Sequence, residues 1–275
     1  MPRLTLSKKI IEFQNIVWQF YRDNRRDFPW RRTHDPYRII VSEIMLQQTQ
    51  ATRVVPKYEA FIERFPNFQA LAEASTRDVL QLWQGLGYNR RALQLKKIAE
   101  TIVQDFKGIV PRDAEKLEQL PGIGKATAAA ILAFAFNSGV PYLETNVRRL
   151  YIHHFFPRKK NVRDADLLPL IAASLDQDRP REWCWAMLDY GATLPKIVGT
   201  NSNQQSAHYQ KASRFQGSER QLRGRIVTQL IRSGKQTPVA ISRELHEPID
   251  RVKQILTKLE RDGLVKAMKK SYAIA

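Results

Sequence analysis

The chain has 275 residues, of which 43% are hydrophobic and 26% are charged, as in an ordinary globular protein. Its 45 Lys and Arg residues against 27 Asp and Glu give a formal net charge of +18, which favours a polyanionic partner, most commonly nucleic acid. A single cysteine, Cys184, excludes an internal disulfide and a multi-cysteine metal or iron–sulfur site. No apolar run is long enough to span a membrane, and charges interrupt the amphipathic N-terminus. We therefore expect a cytoplasmic protein, associated with the nucleoid if it is bacterial.

Helical apolar spacing dominates the N-terminal two thirds of the chain. Stretches such as "DFPWRRTHDP", "GLGY", "PGIG" and "NSGVP" mark turns between the periodic segments. The pattern predicts helices over 6–22, 38–50, 53–64, 76–82, 90–106, 113–119, 125–136, 145–154, 164–176 and 180–192. The fold class is therefore mainly α.

The stretch "LEQLPGIGKATAAAILAFAF" predicts two helices joined by a tight turn. Gly122 and Gly124 can take backbone angles that other residues avoid. Glycines before a helix expose main-chain N–H groups that can hold a phosphate, and Lys125 and Thr127 open that helix. An ordinary helical hairpin is the alternative, which the L-P-G-I-G-K spacing disfavours.

The C-terminal part of the chain is predicted to form a separate small domain. Residues 195–217 are polar and without periodicity, and indicate a linker or an extended covering segment. A helix over 219–232, "TPVAISREL", "EPIDRVKQILTKLERDG" and the alternating "LVKAMKKSYAIA" follow in the order of a winged helix-turn-helix. We expect domains over 1–194 and 218–275, joined by that segment.

This small domain is basic, since residues 216–275 hold 13 Lys and Arg residues against six acids. The second helix of such a pair normally enters the major groove of DNA, which makes Arg251, Lys253 and Lys258 candidate contacts. A protein-binding wing is the alternative.

The hairpin resembles the helix-hairpin-helix of the DNA glycosylase superfamily that includes endonuclease III and the MutY-type adenine glycosylases. "FPWRRTHDPYRIIVSEIMLQQTQ" (28–50), "LWQGLGYNRRA" (82–92) and "LETNVRRL" (143–150) follow in the order of that family, and the likeness covers residues 6–192. It implies two helical subdomains with a DNA cleft between them, into which a nucleotide is flipped. It also implies a hairpin that binds the DNA backbone, often with a monovalent cation.

Two carboxylates are the candidate catalytic pair. Cutting a base from deoxyribose needs an acid to protonate the base and an ionised carboxylate to stabilise the cationic sugar or position water. The resemblance assigns the first role to Glu43, in the apolar stretch "IIVSEIML", and the second to Glu144, with Asn146 holding the carboxylate and water. The purely structural alternatives are an acid at the start of a helix for Glu43 and simple helix capping for Asn146.

The sequence departs from the family at several points. Glu144 replaces the family's aspartate, which predicts a shifted cleft, a different reaction geometry, or a site retained only for binding. Ala126 stands where endonuclease III-type lyases carry their Schiff-base lysine, so we expect no efficient strand cleavage. The iron–sulfur cysteines and the Nudix-like domain of many relatives are missing, so we expect no cluster, no other metal site and no required cofactor.

Further DNA contacts are implied by the resemblance. Gln48 is expected to intercalate or to contact the duplex near the lesion, Tyr88 to wedge into the base stack, and Arg31 to approach the flipped base. A helix-surface amide and a packed turn aromatic are the alternatives for Gln48 and Tyr88.

The leading hypothesis is a monomeric, monofunctional base excision glycosylase that acts on double-stranded DNA. Its expected substrate is adenine mispaired with 8-oxoguanine or guanine. Alternatives are a glycosylase for uracil, thymine or an alkylated base, and a catalytically inactive lesion binder. A less favoured alternative is a bifunctional lyase that uses Lys125 as its nucleophile.

Overall fold

The computed structural model describes residues 5–211 and 214–275. Helices dominate, and the strands of the described part form one small hairpin. The helices are α1 (Leu6–Asn24), α2 (Pro36–Leu46), α3 (Ala51–Arg64), α4 (Phe68–Glu73), α5 (Thr76–Trp83), α6 (Arg90–Gln104), α7 (Ala114–Glu118), α8 (Lys125–Phe136), α9 (Thr145–Phe155), α10 (Asp164–Ala173), α11 (Pro180–Val198), α12 (Glu219–Ser233), α13 (Pro238–Leu245) and α14 (Ile249–Arg261). The strands are β1 (Val265–Met268) and β2 (Ser271–Ile274).

The chain divides into two compact units. The first unit takes in the chain up to Ile39, Arg112–Leu117 and Ile123–Lys211. The second unit takes in Ile40–Pro111, Glu118–Gly122 and the described residues after Lys211. The predicted mainly α fold is confirmed, whereas the domain boundaries predicted above stay a prediction.

The first unit is built around aromatic packing between α1, α9 and α11. Phe13 of α1 lies against Tyr151 at a ring distance of 4.8 Å and against Trp183 at 6.1 Å, and all three are buried. Helix α8 buries most of its alanine-rich surface, as expected for a helix that is apolar all round. This core supports the start of α9, where Glu144 lies.

The second unit combines helices α3–α6 with the C-terminal helices and hairpin. Phe61 and Trp83 are fully buried between α3 and α5, and α4 packs on α6. Strands β1 and β2 pair antiparallel with Val265 opposite Ile274. Helices α12, α13 and α14 followed by this hairpin are the predicted winged-helix order.

Three helices differ most from the expectation. Helix α2 ends at Leu46, four residues before the predicted end at 50, because the chain turns at Gln48, whose φ is 53°. Helix α4 has only six residues, too few to show periodicity. Its N-cap is Asn67, whose side chain accepts a hydrogen bond from the Ala70 N–H. Helix α11 continues to Val198, beyond the predicted end at 192, so the polar segment begins inside a helix. None of the described helices has the length and apolar composition needed to cross a bilayer.

Candidate active site and DNA-binding surface

Glu144 is the N-cap of α9. Its backbone is extended, and its Oε1 accepts hydrogen bonds from the main-chain N–H groups of Asn146 and Val147, the latter at 2.8 Å. The side chain of Asn146 reaches the other oxygen, Oε2, at 3.3 Å. A carboxylate at the positive end of a helix is electrostatically favoured, so this position fixes the acid rigidly.

Opposing influences act on the proton affinity of Glu144. Burial raises the pKa of the carboxyl above its ordinary value, while the N–H groups of Val147 and Asn146 and the charges of Arg149 and Arg148 lower it. The net direction is upward. The carboxyl therefore holds a proton more tightly than an exposed glutamate does.

A chain of hydrogen bonds anchors Asn146. Its Oδ1 accepts from Arg149 Nη1 at 2.8 Å, and Arg149 Nε donates to Asn201 Oδ1 at 3.0 Å. Arg149 Nη1 also donates to the carbonyl of Gly191 at 2.7 Å. That carbonyl lies four residues before Pro195, which has no N–H to give it, so the arginine supplies the missing donor.

The polar segment after α11 packs over α9 as a covering segment. Asn203 Nδ2 donates to the Thr145 carbonyl at 2.9 Å, beside Glu144. Gln205 donates to main-chain carbonyls of the loop after α9, and Val162 pairs with Ser206 as a parallel bridge. Of the two sequence alternatives for this stretch, the described part of it favours the covering segment.

Glu43 lies in the second unit, on α2. It is half-buried and follows the buried Ser42. The end of its helix is held by Arg91, whose buried guanidinium donates to the carbonyls of Ile44 and Met45, each at 2.9 Å. Burial lowers the pKa of Arg91 to about 10, which still leaves it charged at neutral pH, as a cation at a helix C-terminus should be.

Arg91 also joins the two loops that carry Gln48 and Tyr88. It donates to Gln47 O at 2.6 Å and to Gly87 O at 3.0 Å. Both Gln48 (φ 53°) and Tyr88 (φ 47°) adopt the left-handed conformation that side chains other than glycine rarely take. Such strain persists only where the surroundings impose it, and it holds both side chains at the surface.

The hairpin turn has the predicted backbone. Gly122 has φ +80°, and a Cβ there would lie 2.8 Å from the side chain of Gln94. Gly124 is the extended N-cap of α8 with open space above it, so main-chain N–H groups at this end can approach a phosphate. Lys125 is exposed beside it, and Thr127 is half-buried in the first turn of α8.

Arg31 is engaged inside the first unit. It forms a bidentate pair with the fully buried Asp189, with both nitrogen–oxygen distances 2.8 Å, and Arg26 binds the same carboxylate. Its side chain is only 8% exposed. The ion pair ties the turn before α2 to α11, and a direct DNA contact by Arg31 stays a prediction.

The three candidate cations of the winged helix have different surroundings. Arg251 binds Glu247 at 2.8 Å and the Gly217 carbonyl at 2.7 Å, and Lys258 binds Glu219 at 2.6 Å. Lys253 is exposed on the flank of α14, beside the face that is buried, and makes none of the ion pairs that hold the other two. Among these three, Lys253 is best placed for a phosphate.

Sequence reasoning missed Arg91, Arg149 and Asp189, because their partners lie far along the chain and leave no local pattern. No three His, Cys, Asp or Glu side chains come together as a metal-binding group in residues 5–211 and 214–275.

Comparison with known proteins identifies the family of the chain. Residues 41–167 match the family described as "HhH-GPD superfamily base excision DNA repair protein". An adenine DNA glycosylase of Mycolicibacterium smegmatis is 36% identical over 269 residues, covering 90% of each chain. The chain belongs to the HhH-GPD superfamily, in the branch of the MutY-type adenine glycosylases.

Other relatives are similar over a shorter span. An adenine DNA glycosylase of Mycobacterium tuberculosis is 38% identical over 200 residues, which is 70% of this chain and 64% of the relative. A solved structure of a thermostable thymine-DNA glycosylase superposes with a TM-score of 0.61 at 28% identity, covering 67% of this chain and 87% of that one. The expected family is therefore confirmed.

Proposed function

We propose that the protein is a monofunctional DNA glycosylase of base excision repair. It hydrolyses the N-glycosidic bond of adenine mispaired with 8-oxoguanine or guanine in double-stranded DNA. The observation that carries this proposal is the capped, hydrogen-bonded Glu144 with Asn146, in a chain similar over most of its length to an adenine DNA glycosylase.

The two carboxylates divide the work. Glu43 donates a proton to the adenine ring while the bond between the base nitrogen and C1′ breaks, and the bonding electrons leave with the base. The sugar is then cationic at C1′, and ionised Glu144 stabilises that charge. Water adds to C1′ and gives its proton to a carboxylate, so that free adenine and an abasic sugar remain.

The longer side chain of Glu144 is compatible with this role. Its carboxylate already reaches the first N–H groups of α9, where the shorter side chain of aspartate would also cap. Asn146 then binds Oε2, the oxygen that these main-chain groups leave open, and Arg149, itself bound to Asn201, holds the Asn146 side chain. The extra methylene is thus accommodated within the cap, which supports an active site rather than a lost one.

Absence of lyase activity is part of the proposal. Ala126, in the first turn of α8, offers no amine for a Schiff base, and Lys125 is exposed beside the hairpin glycines, where its charge suits a phosphate. The resemblance also implies a monovalent cation at the turn, for which main-chain carbonyl oxygens would be suitable ligands. Such an ion would steady the turn and takes no part in the reaction.

Excision of a different base is the second candidate. The small side chain of Ala126 and the likeness to a thymine-DNA glycosylase favour it. Either activity requires access to chromosomal DNA, so we expect the protein to act in the compartment that contains the chromosome.

A base-release panel tests the proposal. Single-turnover reactions would use duplexes with adenine opposite 8-oxoguanine or guanine, and others with uracil, thymine in a mismatch, or an alkylated base. Release of adenine without strand cleavage is the expected result. Release of another base alone supports the second candidate, and tight binding with no release would identify a lesion binder.

A further inference from the structure

A hollow at the tip of the β1–β2 hairpin, within the second unit, is lined by positive charge. Its volume is about 400 Å³, and its lining contains three lysines and no acid. The lysines are Lys235, Lys269 and Lys270, and the other lining residues are Gln236, Thr237, Met268 and Ser271. All three lysines are exposed. Three like charges around one concave surface attract an anion.

The backbone brings these lysines together from two parts of the chain. Gln236 pairs with Tyr272 of β2 as an antiparallel bridge, with nitrogen–oxygen distances of 3.0 and 2.7 Å. This bridge holds Lys235, which precedes α13, beside the hairpin turn that carries the other two lysines. The hollow is therefore a product of the folded winged-helix region.

The carboxylates closest to the hollow are engaged with other groups. Glu244 accepts a hydrogen bond from Gln236 Nε2 at 3.0 Å, and Glu260 accepts one from the Ala267 N–H at 3.1 Å. None of the three lysines forms an ion pair within residues 5–211 and 214–275. The hollow therefore presents uncompensated ammonium groups, which suit phosphate.

Met268 adds an apolar contact among these charges. Its side chain lines the hollow and is 39% exposed. A free phosphate ion gains nothing from an apolar surface, whereas the deoxyribose between two phosphates offers carbon atoms to cover it. Lysines around an exposed methionine therefore favour a sugar–phosphate chain over a small anion.

The strand β1 measures how far the hollow lies from Tyr88. Leu264 directly precedes β1 and lines a large cleft that Gln48 and Tyr88 also line. Met268, at the other end of this strand of four residues, lines the hollow. At about 3.3 Å per residue the strand spans about 13 Å. A duplex advances about 3.4 Å per base pair, so this distance corresponds to about four base pairs.

We propose that the hollow binds the DNA backbone about four base pairs from the lesion, on one side of it. The proposal rests on the proposed function, because it takes Tyr88 to lie at the lesion. Lys235, Lys269 and Lys270 bind phosphate oxygens, and Met268 packs on a sugar. The wing thus lengthens the stretch of duplex that the protein holds.

The test measures the affinity of the full-length protein for duplexes that carry an abasic-site analogue and contain no base to excise. One flank is shortened stepwise to below about four base pairs while the other stays long, and the series is then repeated with the flanks exchanged. Wild type should lose about tenfold in affinity when the flank under the wing is shortened.

The double variant Lys235→Gln/Lys270→Gln removes two of the three charges. Lys269 is kept because its φ of 35° makes a substitution there strained. On long duplexes this variant should bind about tenfold more weakly than wild type, with a salt dependence lower by about two phosphate contacts. It should be insensitive to shortening of the flank under the wing and should respond to the other flank as wild type does.

Lys97→Gln/Arg243→Gln is the matched control, because it removes two exposed positive charges of the same unit that do not line the hollow. This control and Lys235→Arg/Lys270→Arg should both keep the wild-type dependence on flank length. Equal behaviour of the two glutamine variants, or no flank dependence in wild type, would overturn the proposal. Flank dependence as expected, without adenine release in the base-release panel, would contradict the proposed function alone.

Discussion

Gly191 lies where α11 crosses the start of α9, and replacing it with alanine should disturb the site directly. A Cβ at this position would lie 2.2 Å from the Asn146 carbonyl oxygen and 3.1 Å from the Asn146 Cβ. Carbon and oxygen atoms need about 3.3 Å, so the two helices must separate by about 1 Å. The hydrogen bond from Arg149 to the Gly191 carbonyl would then lengthen, which loosens the arginine that holds the Asn146 side chain.

A displacement of about 1 Å in a catalytic group can cost roughly a hundredfold in rate. Forcing extra atoms into a packed contact costs typically about 1–3 kcal/mol of stability, against about 1 kcal/mol that alanine gains over glycine inside a helix. We expect Gly191→Ala to slow single-turnover base release by about a hundredfold and to lower the unfolding free energy modestly. Affinity for DNA should stay nearly the same.

The assay is base release at saturating enzyme, with thermal unfolding followed by circular dichroism. Gly224→Ala is the stability control, since Gly224 is also inside a helix and its Cβ would meet nothing within 4 Å. That variant should be as stable as wild type or slightly more so. If Gly191→Ala kept both the rate and the stability of wild type, the close crossing and its role in holding Asn146 would be refuted.

Three further predictions concern DNA binding and pH. Lys125→Ala should weaken binding to all duplexes by a similar factor and reduce the salt dependence by about one phosphate contact, as filter binding at several salt concentrations would show. A changed base preference at unchanged affinity would contradict this role. Lys253→Ala should likewise weaken binding to all duplexes and reduce its salt dependence. Arg251→Ala should mainly lower thermal stability, because Arg251 forms an ion pair with Glu247. A loss of DNA affinity in Arg251→Ala with none in Lys253→Ala would contradict both assignments. Burial lowers the pKa of His154 from 6.5 to about 4, so below pH 6.5 the unfolded chain takes up a proton that the folded chain does not. Denaturant titrations should therefore show stability falling between pH 6.5 and about 4, and an equally steep fall in His154→Gln would exclude this cause.

Local patterns predicted the hairpin, whereas the resemblance to the family indicated Glu144 and Asn146. The alternation of glycines before Lys125 marks the turn, and Glu144 and Asn146 stand two residues apart on the cap that the structure shows. Turns and caps depend on a few neighbouring residues, so sequence carries their signal.

Long-range contacts carried no such signal. The predicted helix ends at 192, yet α11 continues through Pro195 to Val198. Proline leaves the Gly191 carbonyl without a main-chain donor, and Arg149, distant in sequence, binds that carbonyl instead. In the same way, Tyr88 reads as a turn residue, and only the fold brings Arg220 to its hydroxyl. Six-residue α4 was too short for its apolar spacing to stand out.

The most direct test of the account is the single-turnover rate of adenine release from an adenine:8-oxoguanine duplex by Glu144→Gln. Glutamine keeps an oxygen for the N–H groups of Asn146 and Val147, so folding and DNA affinity should be close to wild type. Loss of the negative charge should slow release by at least about a hundredfold. A rate equal to that of wild type would show that Glu144 is only a helix cap and that the catalytic carboxylate lies elsewhere.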